Sequence, residues 1–312
     1  MTSQNISIKT NDLHCRFGDL HAVNGISFEV PAGTIFGFLG PNGAGKTTTI
    51  RLLLGLLEAS SGSAQVLGFD IRTQADQIRL NCGALLEHTG LYERLSAEDN
   101  LDLFGRIWHI PSVERQQRIQ SLLEKMGLYE RRKELVNGWS HGMKQKLAVV
   151  RTLMHNPQLV FLDEPTDGLD PVAASSLRED LVDLARQHGV TVFLTTHNLA
   201  EAEKICDQVA VINKGKLLTV GSPDDLRLQK STHTLIVVGR GFSESVLAEL
   251  RAMPEMEAVE LQDRHLVVHF KQETDSGNLV QFLAAKGVMI DEVRKGKASL
   301  EEAFLALLEE QA

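Results

Sequence analysis

The chain has 312 residues, 43% of them hydrophobic, enough for two domains or one large domain with an appendage. Its 41 acidic side chains outnumber 32 basic ones, a formal net charge of −9, which argues against nucleic acid as a partner because phosphate backbones call for a basic face. The densest apolar run, Leu52 to Leu57, is far too short to span a bilayer, and Met1 to Asn5 lacks a signal-peptide pattern, so a cytoplasmic protein is expected.

Taken in order, Ile6-Ser7-Ile8 and Ile26-Ser27-Phe28-Glu29-Val30 alternate with period two, with a turn at Pro31-Ala32-Gly33, so residues 5–40 read as strands. Thr34 to Leu39 predicts a buried strand, and the leucine-rich stretch Thr49 to Leu57 a helix. Between them, Gly40-Pro41-Asn42-Gly43-Ala44-Gly45-Lys46-Thr47-Thr48 fits G-x-x-x-x-G-K-[ST], in the strand–loop–helix setting that this phosphate-binding loop needs. The glycines let successive N–H groups point inward at phosphate oxygens, and the helix N-terminus adds partial positive charge. Lys46 can then reach the β- and γ-phosphates, and the Thr47 hydroxyl can ligate Mg²⁺. Gly62 to Gly68 looks like another strand entry.

From about residue 88 to 157 the texture is helical: Ala97 to Trp108 with a capping pair at Ser96 and Asp99, Val113 to Met126 ended by Gly127, and a third helix from Ser140 toward His155. Leu159 to Leu162 and Val190 to Leu194 are apolar runs of the buried parallel kind, separated by a helix over Ala173 to Gln187. A helix near Leu199 to Cys206 leads to Val209 to Ile212. Strand–helix alternation of this sort predicts a mainly parallel sheet. Cys15, Cys82 and Cys206 are too scattered for a metal knuckle or a redox pair and read as reduced thiols.

Beyond Gly221-Ser222-Pro223 the order is β-α-β-β-α-β: His233 to Val238, Ser245 to Met253, a hairpin of Ala258 to Leu261 and His265 to Phe270, Leu279 to Lys286, and Val288 to Val293. That is the ferredoxin-like α+β pattern. A last helix has Ser299 and Glu302 as a capping box, with Leu300, Ala303, Phe304, Leu307 and Leu308 on one face, expected to pack on its own domain rather than to dock a partner. The domains are therefore read as 1–225 and 226–312.

Asp163 and Glu164 follow a buried strand, at the sheet edge where ligands of parallel α/β folds sit. Asp163 is placed to hold Mg²⁺, and Glu164 to orient and deprotonate an attacking water. His197, after Thr195-Thr196 at the next strand end, is placed to contact a γ-phosphate. Ser140 at a helix N-cap, with Gly142 beside it, makes a second anion site. One chain has no need for two γ-phosphate sites, whereas a two-fold dimer does.

With these motifs in this order, residues 1 to about 225 resemble the ATP-binding subunits of ABC transporters. Gly40 to Thr48 matches the Walker A motif, Trp139 to Gln145 (with Ser140, His141, Gly142 and Met143) the signature motif, and Leu162-Asp163-Glu164 the Walker B motif with its catalytic glutamate. Gly168-Leu169-Asp170 matches the D-loop, His197 the switch histidine, and Phe17 the aromatic that stacks on adenine. The resemblance implies a P-loop NTPase of the ABC type: a mainly parallel core sheet, an antiparallel N-terminal β part, an inserted helical subdomain and the small C-terminal domain. It also implies ATP and Mg²⁺, a dimer of two copies around two nucleotides, and a separately encoded membrane permease, with the protein peripheral on the inner membrane face.

Two departures stand out. The signature usually reads L-S-G-G-Q, and the Q-loop glutamine appears as Glu87, whose carboxylate could still ligate Mg²⁺ but adds negative charge. Both resemble the ABC-2 branch, which includes drug and antibiotic exporters, as does the C-terminal unit. That unit's role is open between dimer stabilisation, regulation and permease docking. Leu91, Tyr92, Leu95 and Phe104, after Glu87, are candidate permease contacts. The rival reading is a soluble ABC ATPase of DNA repair or ribosomes, but the chain lacks a second cassette, long coiled coils and zinc modules.

Overall fold

The computed structural model describes residues 5–230, 234–271, 276–296 and 300–309. Contacts divide the chain into two compact units, Met1–Ser222 and Pro223–Ala312.

The first unit opens with β1 (Ile6–Phe17), β2 (Leu20–Ile26) and β3 (Glu29–Pro31), then β4 (Ile35–Leu39), α1 (Lys46–Leu53), β5 (Ser61–Val66), β6 (Phe69–Asp70), α2 (Ala75–Asn81) and β7 (Cys82–Leu85). Helices α3 (Ala97–Ile107), α4 (Ser112–Lys125) and α5 (His141–Leu153) follow. The chain returns to the sheet through β8 (Leu159–Asp163), α6 (Pro171–His188), β9 (Thr191–Thr196), α7 (Leu199–Ile205), β10 (Gln208–Asn213) and β11 (Lys216–Gly221).

One sheet is antiparallel, in the order β2-β1-β5-β6 with β3 on β1. The other runs β11-β10-β4-β9-β8-β7 and is parallel except for its β11 edge. Every residue of β4, β8 and β9 is buried, which is why these strands are unbroken apolar runs rather than alternating ones. Phe28 joins the sheets into one core, its ring 5.6 Å from Phe36 and 5.5 Å from Phe38.

The alternation over Ile26 to Val30 does not make one strand. The Ser27 hydroxyl accepts the Asp12 N–H and the Thr10 hydroxyl accepts the Phe28 N–H, so hydroxyls take over part of the ladder beside the Thr10 N–H to Phe28 carbonyl bond, and the strand resumes at Glu29. Ser96 caps α3 as expected, its Oγ accepting the Asp99 N–H at 3.1 Å. Gly127, at φ +67°, ends the turn after α4.

The second unit comprises α8 (Pro223–Lys230), β12 (Thr234–Arg240), α9 (Glu244–Arg251), β13 (Met256–Gln262), β14 (His265–Phe270), α10 (Ser276–Ala285), β15 (Met289–Lys295) and α11 (Leu300–Glu309). Its sheet, β13-β14-β12-β15, is antiparallel throughout and has its own core, giving the ferredoxin-like arrangement. Helix α11 packs against α8, with Leu300, Ala303 and Leu226 buried. His233 and Ser299 lie outside the described residues, as do the side chains of Glu302, Leu307 and Leu308. Among the described residues no helix is long and apolar enough to cross a membrane.

Candidate active site

Adjacent strands β4, β9 and β8 end side by side, with Leu39 opposite Thr196 and Asp163 opposite Thr195. The loop after β4 is shaped by two glycines that admit no side chain. A Cβ at Gly40 would lie 2.3 Å from the Ile212 carbonyl oxygen, and one at Gly45 (φ +108°) 2.3 Å from that of Ala22. Ala44 is buried, its N–H bonded to the Pro41 carbonyl and its own carbonyl accepting the Gly215 N–H at 2.9 Å. Helix α1 starts at Lys46 and ends at Leu53, rather than running from Thr49 to Leu57. Lys46, Thr47 and Thr48 therefore form its first turn, where backbone N–H groups are free for an anion.

Lys46 is only 6% exposed; its Nζ donates to the Gly40 carbonyl (2.8 Å) and pairs with Glu164 Oε1 (3.1 Å). Thr47 Oγ1 donates to Asp163 Oδ2 at 2.7 Å, and the Thr195 hydroxyl donates to the other oxygen of the same carboxylate. Glu164 adopts φ +49°, a left-handed conformation that costs a non-glycine residue about 1–2 kcal/mol. Its N–H donates to the Thr195 carbonyl and hydroxyl, at 3.2 and 3.1 Å. Its Oε2 accepts the His197 backbone N–H (3.2 Å) and lies 2.9 Å from His197 Nδ1. Thr195, fully buried and polar at the end of an apolar strand, thus holds the Asp163 carboxylate and the Glu164 backbone, a role the sequence alone did not assign.

These groups open onto a cleft of about 770 Å³ whose wall includes Phe17, Asn42, Gly43, Gly45, Thr48 and Glu87. Phe17, at the end of β1, is half exposed. Glu87 follows β7 and its Oε1 is 3.0 Å from Arg51 Nη2. His197 lines a second cavity of about 370 Å³, with Gly168 and Leu169, that shares Glu164 and Asp167 with the first.

Four further expected residues, Ser140, Gly142, Met143 and Asp170, do not line the 770 Å³ cleft. Ser140 caps α5, its Oγ accepting the Met143 N–H at 3.3 Å. Gly142 is needed because a Cβ there would come 2.8 Å from that of Ala173 on α6. Asp170 caps α6, accepting the Val172 and Ala173 N–H groups at 3.0 Å each. His141 does reach the cleft, with Nε2 3.4 Å from the Asp167 carbonyl oxygen.

Thr47, Asp163 and Glu87 offer oxygen donors only, the chemistry Mg²⁺ selects. Among the described residues no three His, Cys, Asp or Glu side chains gather to hold a metal; Mg²⁺ is ordinarily held by one or two carboxylates together with substrate phosphates and water.

The sequence profile of the ABC transporter family matches residues 23–167. The bacitracin transport ATP-binding protein BcrA of Bacillus licheniformis is 33% identical over 96% of this chain and 97% of its own. The daunorubicin resistance ATP-binding protein DrrA3 of Streptomyces coeruleorubidus is 35% identical over 94% of this chain and 92% of its own. Among solved structures, cbiO1 of Clostridium perfringens, part of the ABC transporter complex cbiONQ, matches with a TM-score of 0.68 at 26% identity, over 73% of this chain and 92% of that one. A glycine loop joined through Lys46 and Thr47 to the carboxylates of the next strand but one, in a chain alike along nearly its whole length to these proteins, leaves one conclusion: it belongs to the ATP-binding subunits of ABC transporters, which are P-loop ATPases.

Proposed function

We propose that two copies of this chain clasp two MgATP and drive a separate membrane permease that exports a drug, lipid or other small molecule. The observation that carries the site assignment is the Lys46–Glu164 and Thr47–Asp163 pairing, which sets cation, hydroxyl and both carboxylates at the mouth of the phosphate loop.

In this reading Gly40 to Thr48 wrap the phosphates, Lys46 meets the β- and γ-phosphates, and Phe17 stacks on adenine. Thr47, Asp163 and Glu87 would hold Mg²⁺, which supplies charge neutralisation at the phosphates. Glu164 takes a proton from the attacking water, oriented by its bond to His197. Ser140, His141, Gly142 and Met143 cap the partner copy's nucleotide, and Asp170 lies at that interface. That Ser140 heads a helix yet lies outside its own chain's cleft supports this. ATP closes the dimer because each nucleotide bridges two subunits, and loss of the γ-phosphate reopens it.

The names of relatives alike along nearly their whole length, bacitracin transport and daunorubicin resistance, support the substrate class, and the work of driving a permease would set the chain against the inner membrane face. Tyr92, 53% exposed in the segment after Glu87, is the leading permease contact; Leu91, Leu95 and Phe104 are partly buried. Nucleic acid has no part in this function. Residues 226–312 would act as an accessory domain, a reading supported by the compact unit Pro223–Ala312. Co-purification with a candidate membrane permease, followed by ATPase assay, tests this reading. Hydrolysis stimulated by the exported compound is expected, and hydrolysis indifferent to both permease and compound would refute it.

A further inference from the structure

The wall of the cleft carries four carboxylates, on Glu87, Asp163, Glu164 and Asp167, against two ammonium groups, on Lys46 and Lys214. A triphosphate entering it is repelled less by each acid that has a partner. Asp163 is held by two hydroxyls and Glu164 by Lys46 and His197. Glu87 is answered from outside the wall, by Arg51 of α1 at 3.0 Å.

Arg51 stands four residues after Thr47, on the same face of the helix. That one face therefore meets the ends of two neighbouring strands: Thr47 bonds Asp163 at the end of β8, and Arg51 bonds Glu87 just past β7. The guanidinium also sits in the last turn of α1, the helix end that favours a cation.

We propose that Arg51 is a positioning residue for the nucleotide site, holding Glu87 against the cleft wall and cancelling its charge where the phosphates lie. The inference rests on the MgATP reading above. Arg51 touches no phosphate; it acts through Glu87 alone.

The test is equilibrium binding of a fluorescent ATP analogue to the full chain, with and without Mg²⁺, at low and high salt, each variant first checked by thermal denaturation. Arg51→Met is expected to weaken binding about threefold to fivefold, the scale of a partly exposed ion pair, and less at high salt. Arg51→Lys keeps the charge and should bind nearly as wild type. In Glu87→Gln the Arg51→Met change should cost nothing further. Equal loss from Arg51→Met in both backgrounds, or Arg51→Lys no better than Arg51→Met, would overturn the proposal. Failure of the wild-type chain to bind the analogue would instead strike the MgATP reading itself, and this proposal with it.

Discussion

Helices α1 and α5 both begin with a small or hydroxylated residue, free amides and a glycine, yet their surroundings differ. The start of α1 is furnished within its own chain, with Lys46 buried, Thr47 on Asp163, and Glu164 and His197 behind. The start of α5 has Ser140 as cap and Gly142 pressed on Ala173, and Ser140 lies outside the cleft that α1 serves. The contrast is between an anion site equipped for chemistry and one equipped for capping, and it makes dimerisation the event that joins them.

The sharpest way to separate the two is to remove chemistry from the first while keeping binding. Glu164→Gln should lower the rate of ATP hydrolysis by about 10²- to 10⁴-fold, the range of a lost general base, while nucleotide stays bound and the dimer persists. Ordinary steady-state phosphate release would take the proton-abstracting role away from Glu164. Lys46→Ala should weaken nucleotide binding about tenfold to a hundredfold, the worth of a charge-assisted bond in a buried site; unchanged affinity by calorimetry would deny the phosphate-loop assignment.

At the second site, Ser140→Ala should weaken ATP-dependent dimerisation while a single chain keeps its affinity for nucleotide. The cap itself contributes about 1 kcal/mol to α5, so melting temperature must be followed alongside sedimentation. Equal loss of monomer binding would place Ser140 in its own chain's site.

The smallest effect belongs to the far end of α5. There His155 stacks on Trp108 with ring centroids 4.0 Å apart, and its Nε2–H donates to the Cys82 carbonyl at 3.0 Å. Burial, aided by Arg118, disfavours the imidazolium and lowers the pKa below its ordinary value. The folded value being the lower one, the stability is present above about pH 6.5 and is lost as pH falls toward the folded value. His155→Gln should flatten the decline of melting temperature over that window; an unaltered decline would remove His155 as its source.

The phosphate loop was legible because its glycines and its Lys46-Thr47 pair stand at fixed spacing in one contiguous stretch, although the backbone oxygens that exclude a Cβ at Gly40 and Gly45 come from the distant Ile212 and Ala22. Asp163 and Glu164 were legible as carboxylates ending an apolar run. The start of α1 was misplaced by three residues because Lys46, Thr47 and Thr48 belong to the loop motif and Thr47 and Thr48 are poor helix formers, whereas in the fold they make the first turn, with Thr47 bonded to Asp163. Strand β7 was hidden because Cys82-Gly83-Ala84-Leu85 has little strand character of its own. It is a strand through pairing with β8, and Gly83 is there because a Cβ would lie 2.4 Å from the Thr152 carbonyl oxygen. Thr195 and Arg51 were missed for a related reason: their partners Asp163 and Glu87 are distant in sequence and meet them only once the sheet has formed.

The most direct measurement mixes Glu164→Gln chains carrying Asn42→Cys with Glu164→Gln chains carrying Met143→Cys, adds ATP and a short bis-maleimide, and maps the linkages. A bond between positions 42 and 143 can then arise only between different molecules. It is expected with ATP and absent without nucleotide, whereas mixed chains shown to be saturated with ATP and still unlinked would contradict the shared site.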